Sequence, residues 1–516
     1  MEKYLYGAAV QGIQQFIFQS TKLREIAQAS ALVEEVCKDM FAECLYEKPH
    51  SDGVSIYEKM QQEYKDSIII NAAGNVKFLF NDKKQCENVV RIFPKMVTEF
   101  VPGITISQAV VTLSDDAQLG AKIDELESTL REQRNRIPRS IDLGMMGLLR
   151  CRKTGKPAVE WNNEEAIDKA TQSKQTYNLR DLCETAFGTK RFKTKQLPFE
   201  IEDIEGRQKW IAIIHADGNG LGQVVRKVGH DSKQFKDFSK NLDVATHNAV
   251  RKSFDKLCED KKIMLEDSEG QLLTLPIRPV VLGGDDVTVI CRADLALDFV
   301  QLLSKYFETE TQTLLSKILK DNNVFEDGKD YLTLCSGIAF VKSNYPFHFG
   351  YELAEELCSV AKKDARKHLK KAKDITDING LLVPSCVAFH KVQDSLIGSY
   401  SDIRSRSLLI EDRFSFEWGP YYLEPAEGRW TIKELLDKVN SLNKEDKLAR
   451  NAMRQWLADM SVGNDTQAVQ RLNRMLTIKE RSSKLITELT QGKNRDDRKA
   501  FSAFDVMSLT SIYKQE

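Results

Sequence analysis

One short stretch, residues 280–290 (VVLGGDDVTVI), constrains the fold more than any other part of the sequence. Two β-branched apolar runs flank a Gly-Gly-Asp-Asp turn, which predicts a β-hairpin. Gly283 and Gly284 let the backbone bend tightly and leave room for a bulky ligand. Asp285 and Asp286 carry like charges that repel each other unless a cation lies between them, and the simplest such cation is a divalent metal carrying a phosphate. The hairpin therefore predicts a metal and nucleotide site.

A second stretch, residues 210–222 (WIAIIHADGNGLG), supplies a partner carboxylate. An apolar strand ends in Asp217, and the turn Gly218-Asn219-Gly220 then opens a helix. The free N–H groups of a helix N-terminus attract a phosphate, while a nearby carboxylate holds its cation. An ordinary strand-to-helix turn is the alternative interpretation of the glycines. If the two stretches are neighbouring strands of one sheet, all three aspartates converge.

Length, charge and cysteine usage limit the class of protein. The 516 residues suffice for about three domains. The net charge of −1 gives no overall field for nucleic acid, so such a partner would need a local basic groove. No apolar run reaches about 18 residues, the N-terminus lacks a signal-peptide pattern, and the ten cysteines form no CxxC pair. We expect a cytoplasmic protein with reduced core cysteines and no membrane span.

The order of predicted elements is β-α-β-β-α-β near the N-terminus, and the same order recurs, with insertions, from about residue 209. Between the two copies lies a charged helix followed by a stretch without sustained periodicity. The sequence thus predicts an α+β protein with two ferredoxin-like (βαββαβ) domains, a helical connector and a helical C-terminal domain. The predicted boundaries are 1–115, 116–207, 208–400 and 401–516.

The duplication provides an internal control. Where the second copy has its Gly-Gly-Asp-Asp turn, the first has Ala72-Ala73-Gly74-Asn75. Where the second has Asp217, the first has Ala8-Ala9-Val10-Gln11. The same fold is therefore predicted to form without the carboxylates, which indicates that the three aspartates serve a function.

Several ordered motifs resemble a known family, the large subunit of type III CRISPR effectors, whose polymerase/cyclase palm is similar to GGDEF-type cyclases. The resemblance covers roughly residues 1–115 and 205–395. It implies synthesis of cyclic oligoadenylates from ATP during antiviral defence, with target RNA as the trigger. The motifs are ADGNGLG (216–222), LGGDDV (282–287), SGIAF (336–340), ELAEELCSVAKKDARK (352–367) and, for a first non-catalytic palm, AAVQGIQQFIFQSTKLREIAQASALVEEV (8–36).

The resemblance also implies roles for individual residues. Asp217, Asp285 and Asp286 would be catalytic and would hold two Mg²⁺ (or Mn²⁺) ions. Lys362 would reach the triphosphate, although its cation-rich surroundings also fit a solvated helix end. Residues that would contact or line the nucleotide pocket are Gly218, Asn219, Gly220, Gly283, Gly284 and Ser336.

Three features differ from the family pattern or fall outside it. The family often carries an N-terminal HD nuclease domain, whereas this chain starts with the first palm, and His230-Asp231 is interpreted as a surface turn. Of the family's four-cysteine zinc module only Cys151 and Cys183 have counterparts between the palms. His215 shares a strand face with Asp217 and is interpreted as a packed histidine behind the metal site rather than a base.

Alternatives remain at this stage. The chain could be a stand-alone cyclase that makes another cyclic nucleotide. It could also be a catalytically weak scaffold subunit of an RNA-guided effector complex. The expected partners are ATP, guide or target RNA, and other CRISPR effector subunits.

Overall fold

The computed structural model describes most of the chain. The described residues are 2–20, 22–46, 56–72, 74–114, 119–135, 146–162, 165–176, 182–189, 191–206, 208–229, 232–266, 269–375, 377–393, 398–410, 414–444, 447–478, 483–495 and 498–513. His230 and Asp231 lie outside these ranges.

The first ferredoxin-like domain contains four strands and five helices: β1 (Lys3–Gln11), α1 (Ile13–Phe18), α2 (Leu23–Glu35), α3 (Phe41–Tyr46), α4 (Ile56–Glu63), β2 (Ile68–Ala72), β3 (Asn75–Phe80), α5 (Lys83–Phe100) and β4 (Thr105–Leu113). Its antiparallel sheet has the order β2-β3-β1-β4, as in a ferredoxin-like fold. A π-helical turn, Val36–Met40, joins α2 to α3. The helical stretch predicted from residue 12 is interrupted before α2, where the Ser20 hydroxyl accepts a hydrogen bond from the Lys22 backbone N–H and so competes with helix formation.

The connector is more ordered than predicted. It contains α6 (Leu119–Arg134), β5 (Ala158–Asn162), β6 (Glu165–Asp168), α7 (Lys169–Thr176) and α8 (Leu182–Phe187). The antiparallel β5–β6 hairpin was not predicted. Val159 and Trp161, on alternate positions of β5, were its sequence signal, but so short a strand is hard to distinguish from a loop.

The second ferredoxin-like domain repeats the order of the first with longer helices. Its elements are β7 (Trp210–Gly218), α9 (Leu221–Val228), α10 (Ser232–Asp260), β8 (Ile277–Gly283), β9 (Asp286–Arg292), α11 (Ala296–Asp321), β10 (Leu334–Lys342), α12 (Phe347–Lys373) and β11 (Cys386–Lys391). The order β10-β7-β9-β8 matches that of the first sheet, and β11 adds to β10 in parallel.

The hairpin turn is tighter than the predicted four residues. Gly283 pairs with Asp286 across the hairpin, so only Gly284 and Asp285 form the tip. Gly284 has φ +61°, a conformation that L side chains rarely adopt and that tight two-residue turns require. Asp286 is therefore a strand residue.

The C-terminal region is mostly helical, as predicted, and also contains short strands. Its elements are α13 (Tyr400–Ile403), β12 (Leu409–Ile410), β13 (Phe414–Ser415), β14 (Tyr421–Tyr422), α14 (Ile432–Lys444), α15 (Lys447–Ser461), α16 (Asp465–Ile478), α17 (Ser483–Thr490), β15 (Lys493–Arg495), β16 (Arg498–Ala500) and α18 (Ala503–Thr510). A small sheet has the order β12-β13-β16-β15, while β14 pairs with β11 and extends the second domain's sheet to six strands.

All ten cysteines are buried and none is in a disulfide bond, as expected for reduced core residues. Among the described residues, no group of three or more His, Cys, Asp and Glu side chains is placed to hold a metal ion. None of the described helices has the length and apolar character needed to cross a membrane.

Helix α12 lies directly on the second sheet, across β7, β10 and β11. Its closest approach is at Gly337 of β10, where an added Cβ would fall far inside van der Waals contact of the Ala354 carbonyl and the Cys358 amide of α12. The same Cβ would lie 2.9 Å from Leu357 Cβ. The glycine therefore sets how close α12, with Lys362, can come to the strands.

We expect Gly337→Ala to lower the free energy of unfolding by about 3 kcal/mol, because backbone atoms cannot move aside as a flexible side chain would. Gly222→Ala, on the exposed side of α9 with no atom within 4 Å of the new Cβ, is the control and should change it by less than about 1 kcal/mol. Urea unfolding followed by circular dichroism measures both. Equal effects of the two substitutions would contradict the packing argument.

Candidate functional site

The two predicted strands are neighbours. Strand β7 pairs antiparallel with β9, with His215 opposite Thr288 and Ala216 opposite Val287. The next position on each strand is Asp217 and Asp286, so their side chains share one face of the sheet. Asp285, at the hairpin tip, hydrogen-bonds the Asp217 side chain. The condition under which the aspartates would converge is met.

Burial, together with neighbouring carboxylates, raises the pKa values of Asp285 and Asp286. Burial, followed by the hydrogen bond to and charge of Asp217, raises the pKa of Asp285 to about 7. Burial, followed by the charges of Asp217, Asp285 and Glu355, raises the pKa of Asp286 to about 8. Lys362 acts in the opposite direction on both pKa values but does not cancel the shift. The protein alone therefore disfavours the ionised forms of Asp285 and Asp286, even with Lys362 nearby.

Lys362 projects from α12 into the cluster. Its Nζ donates hydrogen bonds to Asp217 Oδ2 at 2.5 Å and to the Gly218 carbonyl at 2.9 Å. The ammonium is largely shielded from solvent, with 17% of the side chain exposed. Lys362 is therefore part of the site, and contact with a triphosphate remains a prediction.

Gly218 and Gly220 allow the strand-to-helix turn to lie against the hairpin. A Cβ on Gly218 would come within 2.9 Å of Asp285 Oδ2 and 2.6 Å of Leu221 Cδ1. Gly220 caps α9 with φ +75°. Asn219 is buried; its amide Nδ2 donates to Thr333 Oγ1 at 3.1 Å, whereas its Oδ1 has no hydrogen-bond partner among the described residues. This turn places the N-terminus of α9 beside the carboxylates.

Helix α10 fixes the hairpin tip. The Thr246 hydroxyl donates to the Gly284 carbonyl at 2.5 Å, and the Gly284 N–H donates to Asp243 Oδ1 at 3.3 Å. Sequence reasoning missed Asp243 and Thr246, because they lie in a long helix whose composition resembles any solvated helix.

His215 lies behind the aspartates, as interpreted from the sequence. Its Nδ1 is 3.3 Å from Thr288 Oγ1 and 3.4 Å from Asp286 Oδ1. Burial lowers the pKa of His215, which favours the neutral ring. Its ring also packs edge-on against Tyr351 of α12. These contacts are those of a packed histidine that supports Asp286.

Ser336 is not brought to the aspartates. It pairs with Ala216 in the sheet, and strand alternation turns its side chain to the face away from Asp217 and α12. The residue is fully buried, and its Oγ has no hydrogen-bond partner among the described residues. The position one residue earlier, Cys335, is the one opposite Asp217. The SGIAF motif marks the strand, but its serine faces the wrong side for the predicted lining role.

The first domain reaches the site through α1. Gln14 Nε2 donates to the Tyr351 hydroxyl at 3.0 Å and to Glu355 Oε1 at 3.4 Å. The ring of Phe18 lies 4.1 Å from that of Tyr351. Tyr351 in turn hydrogen-bonds Thr288 beside the aspartates. Sequence reasoning missed this chain of contacts, because no local pattern shows which domains pack together.

The corresponding turn of the first domain has the same backbone but a filled interior. Gly12 caps α1 with φ +66°, as Gly220 caps α9. In the first domain, Ile13 and Val10 pack over Gly74. In the second domain, Leu221 stands in place of Ile13, Gly218 in place of Val10, and Asp285 in place of Gly74. Apolar side chains therefore occupy in the first domain the space that carboxylate and glycine line in the second.

The donor set fits a hard divalent cation. No preformed group of three or more metal-binding side chains exists among the described residues, and Asp217 is bonded to Lys362. However, Asp286 Oδ1 is a buried oxygen that accepts no hydrogen bond there, with His215 Nδ1 3.4 Å away, and a bound cation would favour the ionised carboxylates that burial disfavours. Carboxylate oxygens are the ligands that Mg²⁺ prefers.

Comparison with known proteins supports the resemblance found in the sequence. Residues 210–370 match the family model described as Cas10/Cmr2, second palm domain. No curated protein matches the sequence. The family model supports the resemblance over the second palm, and the solved structures below share the fold of the chain.

Solved structures share the fold at low identity. The Csm1-Csm4 cassette in complex with cA4 gives a TM-score of 0.57 at 12% identity, over 100% of this chain and 70% of that one. The cassette in complex with pppApApA gives 0.54 at 13% identity, over 100% and 70%. Csm1 in T. onnurineus gives 0.55 at 12% identity, over 99% and 69%.

The crowded carboxylates predict a pH-dependent stability in metal-free buffer. Because the folded pKa values of Asp285 and Asp286 are raised to about 7 and about 8, the folded state binds more protons than the unfolded state between about pH 4 and 8, so stability falls as pH rises through that range. Asp285→Asn/Asp286→Asn should remove most of this decline and raise the Tm most at the alkaline end. Thermal melts in EDTA measure it, with exposed Asp237→Asn of α10 as control; parallel profiles for wild type and double variant would contradict the expectation.

Proposed function

We propose that this chain, which carries a second palm domain of the Cas10/Cmr2 type at residues 210–370, is a metal-dependent nucleotidyltransferase that makes cyclic oligoadenylates from ATP in antiviral defence. The observation that carries the proposal is the meeting of Asp217 and Asp285 beside the N-terminus of α9. Similar structures hold cA4 and pppApApA, a cyclic and a linear adenylate, which supports this product class. Those assemblies also contain Csm4, which supports a role within a multisubunit effector with guide and target RNA.

In the proposed reaction, a ribose hydroxyl of one ATP attacks the α-phosphorus of a second. An oxygen–phosphorus bond forms, the bond from the α-phosphorus to the bridging oxygen breaks, pyrophosphate leaves with the electron pair, and the hydroxyl proton passes to solvent. Attack by the terminal hydroxyl of the chain on its own 5′ α-phosphorus closes the ring in the same way. The protein's task is mainly to position these groups and stabilise charge.

The residues of the cluster have distinct tasks. Asp217, Asp285 and Asp286 would hold two Mg²⁺ (or Mn²⁺) ions, which when bound supply a lowered hydroxyl pKa and neutralise the leaving pyrophosphate. Lys362, now bonded to Asp217, can turn to a phosphate oxygen once its carboxylate partner is otherwise neutralised. The N–H groups at the start of α9 face the same space and attract phosphate.

The first palm supports the site without carboxylates of its own. Its Gln14 and Phe18 contact Tyr351, which reaches Thr288 beside Asp286. Joining two ATP molecules needs an acceptor position as well as a donor position. We assign the acceptor side to the first palm, whose α1 contacts Tyr351 of α12 through Gln14.

Purified protein incubated with ATP and Mg²⁺, with and without target RNA and guide complex, should form cyclic adenylates detectable by mass spectrometry. Asp285→Asn/Asp286→Asn should reduce product at least about 100-fold, because charge on the transferred phosphate is then unbalanced. EDTA should do the same, and exposed Asp237→Asn should leave product unchanged. ATP binding without product under every condition would instead favour the scaffold alternative, and a cyclic product from another nucleotide would favour a different cyclase.

We expect Gln14→Ala to lower turnover about tenfold while ATP binding persists, because the contact between α1 and Tyr351 is weakened rather than the nucleotide site itself. Gln85→Ala, which removes a contact to Tyr64 within the first palm, is the matched control. Product rates and ATP affinity by calorimetry separate the two effects. Unchanged turnover in Gln14→Ala would remove the first palm from the catalytic assembly.

A further inference from the structure

Helix α12 carries an exposed basic ridge beyond the carboxylate cluster. We define the ridge as Lys363, Arg366, Lys367, Lys370 and Lys371, all exposed. Spacings of one, three and four residues place them on one side of the helix, away from buried Ala361 and Ala365. At about 1.5 Å per residue, the ridge is about 12 Å long.

The ridge is strongly unbalanced in charge. Residues 362–373 contain seven lysines and arginines and one carboxylate, Asp364, in a chain whose net charge is −1. Asp364 is engaged by Arg429 at 2.5 Å and by the Tyr422 hydroxyl at 3.0 Å. Just beyond the ridge, Lys373 lies 3.8 Å from Asp327. Positive charge is thus concentrated on the exposed side of α12, where it is accessible to an anion.

A cavity of about 780 Å³ borders the ridge between α12, β11 and the C-terminal region. Lys363 and Lys367 line it on the helix side, and Arg404 and Arg498 line it on the other. Its carboxylates already have protein partners: Glu417 accepts from Arg404 Nε and the Tyr400 hydroxyl, Asp505 from the Tyr421 hydroxyl, and Glu356 from the Tyr400 amide. Lys363 and Lys367 belong to both the ridge and the cavity wall, so the two surfaces are contiguous, whereas Arg404 is already paired with Glu417.

The favourable interaction of cations with the C-terminal end of a helix dipole explains only part of the positive charge on the ridge. That effect is confined to the last turn, where Lys370 and Lys371 lie. Lys363, Arg366 and Lys367 precede that turn. An anionic membrane is disfavoured as the partner, because the apolar side of α12 is buried against the sheet and cannot insert among lipids.

We propose that the ridge, with the adjoining cavity wall, binds the phosphate backbone of a single-stranded oligoribonucleotide. The local basic groove that the near-neutral chain would need for such a partner is present here. Two sources share this chemistry: a linear oligoadenylate product leaving the site next to Lys362, or a segment of guide or target RNA. Binding requires charge and not turnover, so it can be tested without catalysis; only the product source rests on the proposed function.

The test measures binding of fluorescently labelled single-stranded RNA of about 12 nucleotides, within usual single-strand site sizes, by polarisation across a NaCl series. Each phosphate contact adds about −0.7 to the slope of log K against log salt. Lys363→Gln/Arg366→Gln/Lys370→Gln should therefore flatten the slope by about 2 and weaken binding at least about tenfold at low salt. Circular dichroism checks that the variant is folded.

The matched control is Lys83→Gln/Lys84→Gln/Lys95→Gln, three exposed cations of α5 in the first palm. It should bind as wild type does. Asp285→Asn/Asp286→Asn should also retain RNA binding, which keeps this result separate from loss of catalysis. Equal losses in the ridge and control variants, or no loss in the ridge variant, would overturn the proposal.

Further binding measurements identify which oligoribonucleotide the ridge binds. Tighter ridge-dependent binding of 5′-triphosphorylated triadenylate than of the longer RNA supports a product path, and the reverse order supports guide or target RNA. Vesicles containing anionic phospholipid are the competing probe. Ridge-dependent vesicle binding without ridge-dependent RNA binding would refute the proposal in favour of a membrane surface.

Discussion

The antiparallel pairing of β7 with β9 is the constraint on which the rest of the site depends. It places Asp217 beside the hairpin that carries Asp285 and Asp286, so that residues far apart in sequence share one edge. The second requirement is Gly337, because only a bare backbone at that point lets α12 lie close enough for Lys362 to bond Asp217. These two packing conditions bring the three carboxylates and the Lys362 ammonium together in one place.

This arrangement is costly to the folded protein taken alone. Burial raises the pKa values of Asp285 and Asp286, which means that the fold disfavours their ionised forms. The surrounding structure holds them in place nevertheless, with Thr246 and Asp243 of α10 bonding the tip. Groups kept together against their mutual repulsion are typical of sites whose ligand supplies the missing charge.

The sequence was informative wherever a local pattern determined the structure. Alternating apolar runs predicted the strands, and glycines beside aspartates predicted the two turns. It misjudged the hairpin tip by two residues, since Gly283 and Asp286 pair in the ladder. It placed Ser336 near the nucleotide because of a motif, although strand parity turns that side chain away. Gln14 and Tyr351 were beyond reach, because their importance arises only when two domains pack together.

The comparison of the two palms explains how one duplicated fold supports two tasks. Both have a glycine with positive φ, Gly12 or Gly220, between the first strand and its helix, so the same backbone turn is found in each domain. In the first palm, Ile13 and Val10 pack against this turn at Gly74. Helix α1 of the same domain contacts α12 through Gln14 and Phe18. Apolar side chains at this turn of the first domain contribute buried apolar surface and avoid the like-charge repulsion of the second domain. In the second palm the corresponding positions are left to glycine and carboxylate, and the contact of α1 with α12 holds the first palm against it.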